Sequence, residues 1–243
     1  MSSPDVLTPE EAADIRSRLD EVAGRTAAAA EASGRSADEV STLLATKTQP
    51  AEKIRVAIEH GFDLIGENKV QELVAKAEDL ADLPHEAHLI GPLQKNKVNH
   101  TLRHAQCIQS VDSLELAEKI ANRLDVLDST IDVFVQVNTS REDSKSGVAP
   151  EDAEALVESV RRLERLRLRG LMTIGLPGST PEEIRPSYAD LRELSARLRE
   201  SGVLPEEATE LSMGMSNDFE LAIAEGATMV RIGSSVFGAR DYT

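Results

Sequence analysis

One lysine and two segments rich in glycine and serine are the residues of this chain best suited to chemistry. Lys47 follows the apolar run from Leu43 to Ala45, where desolvation would favour the uncharged amine that can form an imine with an aldehyde. Far downstream the chain reads Leu-Ser-Met-Gly-Met-Ser-Asn-Asp at 211–218 and Val-Arg-Ile-Gly-Ser-Ser at 230–235. Backbone amides and hydroxyls after the last two strands are typical of a phosphate site in a β/α barrel. Together these features predict a phosphorylated aldehyde, pyridoxal phosphate (PLP).

Each of these features also has a simpler explanation. Lys47 could pair with a neighbouring carboxylate, and the glycines of either segment could be ordinary turn residues. The occurrence of all three features in one chain favours a ligand site. Two further residues stay open: Glu67, at a predicted strand end, fits packing as well as catalysis, and Lys145 fits a second amine near the ligand or a solvated loop residue.

The elements that must position these residues follow from hydrophobic periodicity. Short apolar runs alternate with longer charged amphipathic stretches, a pattern typical of parallel strands that are each followed by a helix. The eight runs are 43–46, 63–66, 88–91, 106–111, 132–137, 168–174, 210–213 and 229–232. An open doubly wound sheet is the main alternative, but no Gly-x-Gly-x-x-Gly follows the first strand and no reversal point is evident.

The sequence therefore predicts one α/β domain over residues 1–243, a (β/α)8 TIM barrel spanning 43–240, because such barrels occupy about 250 residues. An extra N-terminal helix within 1–35 is expected to cover one end of the barrel. No composition shift or low-complexity linker divides the chain.

Local signals mark where several helices begin. Thr8 and Thr180 are each followed by a proline and then by a glutamate in the third position, which fits a capping box. The run 112–115 has a similar pattern. A helix over 217–225 would present its amino end to an anion bound near Ser216.

Composition excludes several classes of function. The formal net charge is −16, which disfavours nucleic acid and anionic membranes as partners. The N-terminus has no basic stretch followed by an apolar one, so a cytoplasmic location is expected. Cys107 is the single cysteine and is expected to be a small core residue, and the five histidines form no metal-ligand pattern.

Several uncommon strings identify the chain as similar to the YggS/PROSC family, the pyridoxal phosphate homeostasis proteins. The resemblance runs in order from Lys47 to Tyr242, and the first forty residues contribute little. The strings are Thr-Lys-Thr at 46–48, Gly-Glu-Asn-Lys-Val-Gln-Glu at 66–72, His-Leu-Ile-Gly-Pro-Leu-Gln-Lys-Asn-Lys at 88–97, Ser-Lys-Ser-Gly at 144–147, Arg-Gly-Leu-Met at 169–172 and the two segments rich in glycine and serine.

The resemblance implies a PLP barrel of fold type III, like the amino-terminal domain of alanine racemase but lacking the C-terminal β domain. It implies that Lys47 holds PLP as a Schiff base, that Arg231 lies at the pyridine nitrogen and that Asn68 lies near the ring. It also implies further cofactor-binding residues, mostly around the phosphate: Ser212, Met213, Ser216, Gly233 and Ser234. Ser234 stands where the family often has threonine, which keeps the hydroxyl, and Asn217 stands where aspartate is frequent.

These residues predict a carrier of PLP more than an enzyme. An arginine can only donate hydrogen bonds, so a pyridine nitrogen facing Arg231 stays unprotonated and the ring is a weak electron sink. Tyr188 lies within a predicted helix and Tyr242 at the extreme terminus, so neither is placed as a second acid or base. We expect a monomer that buffers PLP and passes it transiently to PLP-dependent apoenzymes. A fold-type III amino acid racemase of low activity is the alternative, and an aldolase using Lys47 without a cofactor is a third.

Overall fold

A closed barrel of eight parallel strands forms the centre of the molecule. The structure is a computed structural model that describes residues 7–142, 146–176 and 180–238. Each strand pairs with the next one in sequence, and β8 pairs with β1 to close the barrel. The strands are β1 Ser41–Ala45, β2 Leu64–Glu67, β3 Glu86–Leu89, β4 Cys107–Val111, β5 Ile131–Gln136, β6 Leu166–Met172, β7 Glu210–Met215 and β8 Met229–Ile232. Every predicted run overlaps a strand, so the predicted barrel is confirmed and the open sheet is wrong.

Helices follow the strands and surround the barrel. They are α1 Pro9–Ala32, α2 Ala51–Glu59, α3 Val70–Ala77, α4 Val98–Thr101, α5 Leu114–Leu127, α6 Ala153–Arg161, α7 Pro181–Glu200, α8 Phe219–Ala224 and α9 Ser234–Phe237, with 3-10 turns at Ala37–Glu39 and Lys95–Lys97. None of these described helices is both long enough and apolar enough to cross a membrane. Lys145 and Tyr242 lie outside the described residues, and so do the expectations about them.

Two of the three predicted helix starts are confirmed as capping boxes. Thr8 Oγ1 accepts a hydrogen bond from the amide of Glu11, and the amide of Thr8 donates back to the Glu11 carboxylate. At the start of α7 the amide of Thr180 likewise donates to the Glu183 carboxylate, at 2.9 Å, and Thr180 Oγ1 donates to the same oxygen at 3.4 Å. The third is wrong, because the N-cap of α5 is Ser113, whose side chain makes no capping bond and whose third following residue is Leu116.

The N-terminal helix packs against helices of the layer that surrounds the barrel. It packs against α8, α2 and α9, and buries Ile15, Leu19 and Val22. The helix that follows β8, α9, has only four residues. α1 therefore packs beside the short helix after β8.

The barrel interior combines an apolar cluster with buried polar side chains. Residues alternate along each strand between the interior and the helix layer. The interior apolar cluster contains Leu43, Cys107, Phe134, Met172 and Met229. Burial raises the pKa of the Cys107 thiol well above its usual value, so this cysteine is a neutral core residue, as expected.

Gly170 offers a test of the barrel packing. An added Cβ at this position in β6 would lie 1.9 Å from the carbonyl oxygen of Glu210 in β7, and these two residues are paired across the strands. We expect Gly170→Ala to push the strands apart and to lower the free energy of unfolding by roughly 2–3 kcal/mol. Denaturant unfolding followed by circular dichroism measures the change.

The matched control is Gly24→Ala in the exposed middle of α1, where nothing lies within 4 Å of the added methyl group. Alanine is the better helix former, so this variant should gain about 0.5–1 kcal/mol. Equal effects of the two substitutions would contradict the close approach of β6 and β7.

Candidate functional site

A cleft at the carboxyl ends of β1, β7 and β8 gathers the residues singled out for chemistry. Its volume is about 410 Å³, within the range of small-molecule sites. Five of the eight predicted cofactor residues line it: Lys47, Ser216, Arg231, Gly233 and Ser234. The carboxyl ends of the strands are also the face on which barrel enzymes carry their active sites.

Lys47 reaches this cleft from a tight turn that begins where β1 ends. The amide of Gln49 donates to the carbonyl of Thr46 at 3.0 Å, which closes a turn over residues 46–49 with Lys47 at its second position. Thr48, at the third position, has a φ of +65°, a conformation that is uncommon for a β-branched residue. Lys47 itself is partly buried.

The segments after β7 and β8 are joined to each other at the cleft. Ser216 Oγ accepts hydrogen bonds from the amides of Gly233 at 3.1 Å and Ser235 at 3.4 Å. Ser235 Oγ in turn donates to the Ser216 carbonyl at 3.3 Å. An added Cβ on Gly233 would lie 3.1 Å from the Ala45 carbonyl, so glycine lets this segment approach β1. Convergent amides and hydroxyls of this kind are the donors that a phosphate group accepts.

The helix predicted to begin at Asn217 starts two residues later. α8 spans Phe219–Ala224, and Asp218 is its N-cap. Asp218 Oδ1 accepts from the amide of Met215 at 2.6 Å, so the turn before the helix is held by a carboxylate. Burial raises the pKa of Asp218, although the hydrogen bond from the Met215 amide acts to lower it. An anion would meet this carboxylate at the start of α8, which makes the segment at Gly233 and Ser234 the better phosphate site.

Arg231 provides a fixed cation at the base of the cleft. Its side chain is 5% exposed and donates to Ser212 Oγ at 2.9 Å and to the Thr173 carbonyl at 2.7 Å. Burial lowers the pKa of Arg231 to about 10, partly opposed by Tyr188 and Asp218. The guanidinium therefore remains charged at neutral pH and acts only as a donor.

A chain of buried hydrogen bonds continues from Arg231 through the barrel interior. Ser212 Oγ donates to Gln109 Oε1 at 2.6 Å, Gln109 Nε2 donates to His88 Nδ1 at 2.7 Å, and His88 Nε2 meets the Glu86 carboxylate at 2.8 Å. Arg231 can only donate, so Ser212 Oγ accepts from it and gives its own proton to Gln109. The Gln109 amide group then donates to His88 Nδ1, and the ring proton of His88 is therefore on Nε2. The chain links the mouth of the barrel to its amino-terminal end.

Sequence reasoning missed Gln109 and considered His88 only when it rejected a histidine metal site. The one signal available was strand alternation, since Gln109 is two residues from the interior Cys107 on β4. Among the residues that the structure describes, no three His, Cys, Asp or Glu side chains come together as a metal site.

The other three predicted residues are not among those that line the cleft. Ser212 is fully buried behind Arg231. Met213, the next residue on β7, belongs to the apolar cluster that includes helix residues such as Leu191. Asn68 follows β2, and its backbone lies so close to Gly91 that an added Cβ there would be 2.2 Å from the Asn68 carbonyl oxygen.

Residues 29–241 match the family described as alanine racemase, N-terminal domain. A protein of Pseudomonas aeruginosa named pyridoxal phosphate homeostasis protein is 44% identical over 228 residues, covering 94% of this chain and 96% of the relative.

Two solved structures are similar over nearly their whole length. A protein of Bifidobacterium adolescentis described as unknown has a TM-score of 0.91 and 40% identity, covering 96% of this chain and 98% of that one. PipY of Synechococcus elongatus PCC7942, solved with PLP bound, has a TM-score of 0.80 and 34% identity, covering 92% of this chain and 100% of that one.

The buried chain of hydrogen bonds leads to a stability prediction. Gln109→Leu preserves volume but leaves Ser212 and the Nδ1 atom of His88 without their partner in the interior. We expect the free energy of unfolding to fall by about 2–4 kcal/mol, since each unsatisfied buried polar group costs about 1–3 kcal/mol. Gln71→Leu, at an exposed position of α3, is the control and should stay within about 0.5 kcal/mol of the parent. Similar unfolding midpoints for both variants would contradict the chain.

Proposed function

Because the chain belongs to the family of the pyridoxal phosphate homeostasis proteins, we propose that it binds PLP, buffers the free aldehyde and delivers it to other proteins. The observation that carries this proposal is the shared cleft: Lys47, the segment at Gly233 and Ser234, and the buried Arg231 cation line one cavity of small-molecule size. In that order, these three features suit the aldehyde, the phosphate and the ring nitrogen of PLP.

Each residue has a distinct role in the proposal. Lys47 condenses with the aldehyde, with loss of one water, and so holds PLP as a Schiff base. Ser216, Gly233 and Ser234 bind the phosphate through hydroxyls and amides. Arg231 donates to the pyridine nitrogen, and Ser212 orients Arg231 from behind. Asn68 contacts the ring, and Met213 contacts the cofactor through its main chain.

The chemistry of Arg231 favours a carrier over an enzyme. When bound, PLP supplies an electron sink that is strong only if its pyridine nitrogen is protonated, which a carboxylate partner promotes. Arg231 is a buried donor that stays charged at neutral pH, so it holds that nitrogen unprotonated. Among the described residues that line the cleft there is no histidine, tyrosine or cysteine, and its one carboxylate, Asp218, already accepts a hydrogen bond from the amide of Met215.

Partner and location belong to the same proposal. We propose a monomer that works in the cytoplasm and transfers PLP transiently to PLP-dependent apoenzymes. In support of a monomer, the exposed large apolar side chains among the described residues are few: Val74, Leu114, Val126 and Leu127. Light scattering of the purified protein with and without PLP tests the monomer.

Borohydride reduction tests the ligand, the linkage and the attachment residue together. We expect the purified protein mixed with PLP to yield one reduced adduct, on the peptide that contains Lys47, because reduction fixes a Schiff base as a stable amine. Lys47→Ala should abolish the adduct. Lys119→Ala, at an exposed position of α5, should leave it intact. Failure of the parent protein to develop an imine absorbance with PLP would overturn the proposal and favour the aldolase.

Hydrogen exchange at the α-carbon separates the carrier from the racemase. Holoprotein incubated with single-enantiomer amino acids in deuterated water should exchange the α-hydrogen no faster than free PLP does, because an unprotonated pyridine stabilises a carbanion poorly. Proton NMR measures the loss of the α-hydrogen signal. Sustained exchange that disappears in Lys47→Ala would establish the racemase instead.

A further inference from the structure

The backbone on both sides of Lys47 is bonded to one cluster of charged side chains. On the preceding side, Lys76 Nζ donates to the carbonyl of Thr46 at 2.9 Å. On the following side, the amide of Thr48 donates to Glu72 Oε2 at 2.5 Å. Both side chains come from α3, one helical turn apart. The turn that carries Lys47 is therefore attached to α3 at two points.

A third residue joins the two attachments into one cluster, which lies behind the turn. Lys76 Nζ donates to Glu67 Oε1 at 2.7 Å and to Glu72 Oε2 at 3.3 Å. Thr46 Oγ1 donates to the same Glu67 oxygen at 2.6 Å. The side chains of Lys76 and Glu67 are only 14% and 2% exposed, so these bonds are made away from solvent, where they are stronger than at the surface. Glu67 is thus a packing partner, which settles its ambiguous position at a strand end.

The charge states fit this arrangement. Burial raises the pKa of Glu67, although Lys76 and Thr46 oppose the shift. Burial also acts to raise the pKa of Glu72, but the Thr48 amide and Lys76 outweigh it and leave that pKa below its usual value. Glu72 is therefore ionised at neutral pH, the state in which a carboxylate is the best acceptor for the Thr48 amide.

The turn needs such support because its third position is strained. A positive φ at this position is usual for glycine or asparagine, whereas Thr48 is β-branched and has a φ of +65°. A residue held in a sparsely populated conformation costs about 1–3 kcal/mol and persists only where its surroundings fix it. The bond from Thr48 to Glu72 is a specific interaction that fixes it here.

We propose that Lys76 and Glu72 are positioning residues that hold the turn at residues 46–49, so that the Lys47 amine faces the cleft before any aldehyde arrives. This inference rests on the proposed function, in which Lys47 captures PLP. Neither residue lines the cleft, so both act through the backbone that flanks Lys47. Preorganisation of this kind raises the rate of capture, because the amine need not search for its reactive position.

The experiment measures the rate constant for development of the imine absorbance after PLP is mixed with the apoprotein. Glu72→Ala removes the acceptor of the Thr48 amide, and we expect the rate constant to fall roughly tenfold, since small misplacements of reacting groups have effects of this size or larger. Lys76→Met should act in the same direction. Glu72→Gln keeps an amide oxygen as acceptor and should recover part of the rate, a pattern that general destabilisation would not produce.

The matched controls are Glu78→Ala, at an exposed position just after the end of α3, and Lys119→Met, at an exposed position of α5. Both remove the same type of charge without touching the cluster, and their rate constants should equal that of the parent. Circular dichroism confirms that each variant is folded. If either cluster variant fails to fold, Glu72→Gln, which preserves the shape of the side chain, still decides the result.

Amide hydrogen exchange in the apoprotein tests the support of the turn without PLP. We expect the Thr48 amide to exchange at least tenfold faster in Glu72→Ala than in the parent, and Glu78→Ala to leave it unchanged. Parent-like exchange at Thr48 together with a parent-like rate of capture in Glu72→Ala would overturn the inference. Absence of an adduct on Lys47 in the parent would instead overturn the proposed function, and the exchange result would still judge the role of Glu72.

Discussion

The pairing of β8 with β1 is the constraint on which the candidate site depends. Its register places Arg231 beside Leu43 and Ile232 beside Leu44, so the segment after β8 emerges next to the turn after β1. Gly233 can approach the Ala45 carbonyl only because it has no side chain. Closure of the barrel therefore brings a lysine from the start of the chain to the amides near its end, and no shorter-range interaction could do so.

A buried arginine is costly, and the barrel interior is arranged to compensate for it. Arg231 is nearly inaccessible, yet two of its N–H groups donate to Ser212 Oγ and to the Thr173 carbonyl. Removing a charge from water costs several kcal/mol unless hydrogen bonds replace the lost hydration. The bonds from Ser212 to Gln109 and on to His88 satisfy the next groups in turn. The cation at the base of the cleft and the polar core of the barrel are thus one structure.

The turn that carries Lys47 follows the same principle after β1, the strand next to that of Arg231. A strained Thr48 is held by Glu72, and Glu72 is held by Lys76. Local strain and buried charge are both unfavourable alone, and each is tolerated because the other group is present. The residues that contact a ligand are therefore supported by residues that do not, on α3 as well as inside the barrel.

Much of the fold could be predicted from the sequence because its signals are local. Strand positions follow from short apolar runs, and Thr8 and Thr180 cap helices through residues only three positions away. Where competing local signals were available, as at Ser113 and Asp218, helix starts were misplaced by one or two residues.

The candidate site was predictable only as far as residue type and strand-end position allow. The sequence by itself determined a barrel, a lysine after the first strand and phosphate-type segments after the last two. Only the tertiary structure decided that Ser212 lies behind Arg231, that Met213 faces the helix layer and that Glu67 points away from the mouth. The physical reason is that the hydrogen-bond partner of a buried group is chosen by barrel closure, between residues whose separation in sequence carries no local signal.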